Sequence, residues 1–162
     1  VREAAFSFSP CGRYLTGINR AWIPNTELYF MILARALLLW FVLMVLAILN
    51  GTVRQYGIIP FTGERVGHWI STVLLCGLIL GATYLAWNWL APHSLTEALR
   101  VGILWVLLTL AFEFLAGHFL FKKSWAELFA DYNVMNGRIW VLVLITTVLS
   151  PYLVALWRGL RP

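Results

Sequence analysis

Four long apolar runs constrain this chain more than any other feature. They cover Leu28–Leu49, Trp69–Ala91, Val101–Phe121 and Ile139–Trp157, each 19 to 23 residues long, and Arg35 and Glu113 are the only Asp, Glu, Lys or Arg inside them. About 20 residues at ~1.5 Å rise per residue suffice to cross a ~30 Å hydrocarbon core. Lipid offers no partner for open backbone groups, so each run is predicted to be a helix. The expected fold is all-α: a polytopic membrane protein with four transmembrane helices and both termini on one side. Composition agrees. Hydrophobic residues make up 61% and charged residues 12% of the chain, about half the charged fraction of an ordinary soluble domain. Nine Trp and six Tyr suit the two membrane interfaces.

Two regions follow. Residues 1–27 form an N-terminal interfacial or soluble segment without an apolar core of signal-peptide length, so no cleaved secretory signal is expected. Residues 28–162 form a single transmembrane domain. In "WIPNTE" Pro24 breaks the chain, and Asn25 or Thr26 can cap the first helix. Between spans three and four, Ser124 and Glu127 have capping-box spacing, and Trp125, Leu128, Phe129 and Tyr132 share a helical face. That pattern predicts a short helix lying in the interface. Asn136-Gly137 then supplies a turn. Seven basic residues flank the spans on the side of the termini and five on the other, which favours cytoplasmic termini. The net charge of +5 fits basic flanks beside anionic lipid. No basic cluster occupies a soluble segment, so nucleic acid is not an expected partner.

The order "LAFEF", "SWAELFADYN", "GRIW" and a proline near the end of the last span resembles an uncharacterised family of small bacterial four-helix integral membrane proteins. The resemblance spans residues 30 to 157 and implies a four-span fold in the bacterial inner (cytoplasmic) membrane. It brings no activity and no catalytic residue.

Familiar chemistries find little footing. Cys11 and Cys76 are far apart and form no CxxC pair, which disfavours a thiol oxidoreductase. Neither HExxH, GxSxG nor a glycine-rich phosphate loop occurs. In small glutamate-dependent multidrug transporters the key carboxylate sits in the first span, where this chain has Arg35. No catalytic residue is assigned and no cofactor is expected. His68 and His118 fall at the same membrane side and could together ligate haem or a metal, but hydrogen bonding of interfacial histidines is the preferred reading. His93 lies on the opposite side.

Glu113 is the residue that most needs an explanation. Gly102, Thr109, Glu113, Ala116 and Gly117 form one small-and-polar stripe on span three. Span two carries another, with Gly77, Gly81, Tyr84 and Asn88, and small residues let helices approach closely in lipid. Helix packing is therefore expected at Gly77, Gly81, Gly117 and Pro151. Counting residues places Glu113 about 12 Å from the end of its span, level with Gly77 and Thr147. Pro151 frees the carbonyl of Thr147, four residues earlier. A protonated Glu113 beside Gly77 could donate to that carbonyl or to the Thr147 hydroxyl. Arg35 is the rival partner, about 8 Å away in depth, and is expected to snorkel to its own interface instead.

Two functional classes remain. The favoured one is an accessory or structural subunit that packs against itself or a larger membrane complex. The alternative is an oligomeric proton- or cation-coupled transporter or channel with Glu113 as its ion site, since intramembrane carboxylates are functional candidates by default.

Overall fold

A computed structural model describes residues 25–120, 122, 124, 125 and 139–160. Among these residues the chain is almost wholly helical and contains no strand. The α-helices whose bounds lie among the described residues are, in order, α1 (Asn25–Val53), α2 (Ile59–Thr62), α3 (Glu64–Leu85), α4 (Trp87–Leu90), α5 (Leu95–Leu115) and α6 (Trp140–Trp157). Two π-helical turns, Arg54–Ile58 and Ala116–Leu120, extend α1 and α5. Four helices are long and apolar enough to cross a membrane: Tyr29–Thr62, Glu64–Leu85, Leu95–Phe119 and Trp140–Trp157. The predicted all-α, four-span fold is the fold observed. The N-terminal residues 1–24 and nearly all of the predicted interfacial helix lie outside the described residues.

The first span runs well beyond its predicted end at Leu49. Helix continues through the π-turn and α2 to Thr62, and 38 residues at ~1.5 Å each give a rod of about 57 Å. Pro60 offers a reason for the wide turn. Its ring crowds the carbonyl four residues back and it donates no amide hydrogen, which a π-bulge relieves. Gly63 ends the rod. At φ +80° it adopts a conformation that costs glycine little, and α3 begins at the next residue.

Side-chain contacts set the antiparallel register of α1 and α3. Asn50 Nδ2 donates to Ser71 Oγ at 2.8 Å and to the Ser71 carbonyl at 3.1 Å. One turn on, Arg54 Nη1 lies 2.9 Å from His68 Nδ1. Polar residues that look like loop in the sequence are thus held in helix by a neighbour.

At the other end of α3 the chain turns through α4 and Ala91, at φ 45°. Ser94 then caps α5: its Oγ accepts from the Glu97 amide at 3.1 Å, and the Glu97 carboxylate accepts from the His93 amide at 2.7 Å. Arg35 Nη1 donates to the Trp89 carbonyl at 2.9 Å. Arg158 Nη2 donates to the Tyr84 carbonyl at 3.3 Å, with its guanidinium 4.2 Å from the Tyr84 ring centroid. Helix C-terminal carbonyls lack intrahelical donors, and cationic side chains satisfy them here.

The helix α6 packs along both α3 and α5, the two most extensive contacts in the bundle, and α1 rests less closely on α3 and α5. Two indole hydrogen bonds align α1 with α5. Trp105 Nε1 donates to the Ala36 carbonyl at 2.8 Å, and Trp40 Nε1 to Thr109 Oγ1 at 3.1 Å. Both join residues 69 positions apart, so the two helices run parallel in a fixed register. The buried core includes Ala36, Leu39, Leu43, Leu75, Ile79, Trp105 and Val143.

Candidate functional site: a cavity within the bundle

The loose seat of α1 leaves space. A cavity of about 350 Å³ lies between the four spans, lined among others by Trp40, Ile48, Arg54, Thr109, Glu113 and Thr147. Its volume falls at the lower end of small-molecule sites. Along the first rod the lining positions 40, 43, 44, 47 and 48 on α1 and 54 at the start of the π-turn repeat at helical spacing, so one face of the rod forms an entire wall.

The two ionisable side chains of the lining stand at different depths. The 69-residue register puts Glu113 level with Met44, which is ten residues, or about 15 Å, short of Arg54. Arg54 is level with His68, five residues and about 7 Å past the Gly63 corner, and so stands toward that end of the bundle. Trp140, the first residue of α6, lines the same end. Toward the opposite end the Trp40–Thr109 bond and the fully buried Trp105 close the interior.

Each polar contact has an assignable direction. A guanidinium has no acceptor, so His68 Nδ1 must accept from Arg54 and the imidazole is neutral. Among the described residues this is the one hydrogen bond of Arg54. The exposed Glu64 is its electrostatic neighbour. Thr109 Oγ1 accepts from Trp40, and Thr147 Oγ1 donates to the Val143 carbonyl at 2.8 Å. Glu113 is engaged within the protein.

Several sequence expectations are met differently. Thr147 does share a cavity with Glu113, but Ser150 Oγ donates to the Thr147 carbonyl at 3.3 Å. The acceptor that Pro151 frees is therefore served by the residue next to the proline. Gly77 and Gly81 are exposed, and a Cβ on either would meet nothing within 4 Å, so they make no close approach among the described residues. That role falls to Gly102, where a Cβ would collide with the Val148 backbone on α6. Gly117 is buried in the π-turn that ends α5, and Pro151 is buried in α6. Arg35 is level with Leu104, about 14 Å short of Glu113, and its guanidinium is turned to Trp89.

The histidines have separate neighbours. His68 accepts from Arg54, whereas His118 stacks on Trp125 with ring centroids 4.4 Å apart and meets Phe119 edge-on. Among the described residues no group of three or more His, Cys, Asp or Glu gathers as a metal site would require. Arg54, in sequence one of the five basic residues that flank the spans on the side away from the termini, lines the cavity. Extending the helical wheel of the first span past Asn50 would have placed it on the face of Trp40 and Ala47.

Compared with protein-family models, curated proteins and solved structures, the chain matches none.

Proposed function

We propose that this is a multi-pass accessory protein of the bacterial inner membrane that holds an amphipathic small molecule within its bundle. The observation that carries the reading is the cavity: apolar walls from four helices, with a guanidinium at the end nearest the Gly63 corner. Such a combination suits a ligand with an apolar body and a polar head. With the termini in the cytoplasm, as the distribution of basic residues favours, Arg54 stands toward the periplasmic leaflet. The bound molecule would serve a larger membrane complex or a second copy of the chain.

The rival reading, proton- or cation-coupled transport, draws on Glu113 and Thr147 facing one cavity. Arg54 in the same cavity opposes it, because a fixed guanidinium is an electrostatic barrier to cations.

Native mass spectrometry of protein extracted in a mild nonionic detergent tests the proposal. A stoichiometric co-extracted amphiphile is expected on the wild type and should be lost from Ala47→Trp, which fills the cavity from the α1 wall. Equal occupancy of both proteins would refute it. Acid-driven flux in proteoliposomes that disappears in Glu113→Gln would favour the rival.

A further inference from the structure

We infer that the cavity's occupant is an anionic phospholipid, with its phosphate on Arg54 and one acyl chain between α1 and α6. This rests on the binding function proposed above and names the ligand class. Two observations converge on it.

The first is the state of the polar groups. Thr147 donates to its own helix, Thr109 accepts from Trp40, and Glu113 is engaged within the protein. The deep part of the cavity therefore asks little of a ligand beyond apolar contact. Arg54 differs. Of its five N–H donors, one is directed at His68 among the described residues, and the neutral imidazole leaves the positive charge in place. Guanidinium donors in fixed geometry match the oxygens of a phosphate.

The second is where the charge stands. Glu113 is about 15 Å deeper and does not neutralise Arg54. Glu64 lies nearby but is exposed, where water and salt screen it. Around this end Tyr56, Phe61 and Trp69 are exposed aromatic side chains, as residues at a headgroup level often are. A soluble anion would use Arg54 but not the apolar walls. A zwitterionic lipid would bring a second cation toward the guanidinium. An anionic lipid satisfies both parts of the cavity.

The protein in neutral detergent is titrated with phosphatidylglycerol, phosphatidylcholine and inorganic phosphate, and binding is read by native mass spectrometry. Phosphatidylglycerol should bind tighter than phosphatidylcholine by roughly tenfold or more, because both bring a phosphate to Arg54 but only phosphatidylcholine brings a second cation beside the guanidinium. Arg54→Gln should erase that preference, Arg54→Lys should keep part of it, and Arg65→Gln on the exposed flank should leave it intact. Ala47→Trp, checked for helix content by circular dichroism, and the milder Ala47→Leu should weaken both lipids. Equal binding of the two lipids, or an equal loss in Arg65→Gln, overturns the assignment of an anionic headgroup while cavity binding stands. Inorganic phosphate that competes as well as the lipid overturns the lipid source. If neither lipid binds wild type better than Ala47→Trp, the binding function falls with it.

Discussion

Gly102 on α5 meets the backbone of Val148 on α6 so closely that a Cβ would collide with the Val148 carbonyl oxygen. Backbone cannot yield as a side-chain tip can, so Gly102→Ala must push the two helices apart. A loss of about 1–3 kcal/mol is expected, the usual scale of overpacking. Gly77→Ala and Gly81→Ala, with open space around them, should leave monomer stability unchanged. Reversible unfolding in mixed micelles distinguishes these outcomes.

Trp105 is fully buried and its indole bridges to the Ala36 carbonyl. Trp105→Phe should cost on the order of 1 kcal/mol, since interhelical hydrogen bonds in membranes average about 0.6 and reach about 1.7. Trp105→Ala removes the packing as well and should cost about 3–5 kcal/mol. The same micelle unfolding, with circular dichroism for helix content, measures both.

Ser150 and Pro151 form a compensating pair. The Ser150 hydroxyl donates to the Thr147 carbonyl and lies 3.4 Å from the Thr83 hydroxyl, whose proton goes to the Ile79 carbonyl at 2.7 Å. Ser150→Ala should cost roughly 0.5–1.5 kcal/mol. Pro151→Ala restores an amide that can donate to Thr147. A double-mutant cycle should therefore show the pair less destabilised than the sum of the singles, and strict additivity would contradict the contact.

The topology has a direct check. In a background without Cys11 and Cys76, cysteines at Glu64 and Lys122 should react with an impermeant maleimide from one membrane side. Cysteines at His93 and Gly159 should react from the other. Labelling of Glu64 and His93 positions from the same side would break the four-span arrangement.

The local character of each segment was enough to determine the spans. A run of 20 apolar residues must be helical in lipid whatever surrounds it, so the existence of four spans was legible without any partner, although the second lies at Glu64–Leu85 rather than at the expected Trp69–Ala91. Depth was legible in part, because the rise per residue is constant: Glu113 and Thr147 do line one cavity, but the 69-residue register sets Arg35 about 14 Å from Glu113 in depth rather than about 8 Å. The rotation of each helix was not. These helices are apolar nearly all round, and nothing within α3 alone tells whether Gly77 faces lipid or a neighbour. Only the packing of α6 between α3 and α5 decided that Gly102 makes the close approach. The end of the first span was hidden for a related reason. Asn50 and Arg54 look like the start of a loop, but Ser71 and His68 reach them across the α1–α3 interface. Those partners exist only once the two helices are side by side, and that pairing brought Arg54 into the cavity with Glu113.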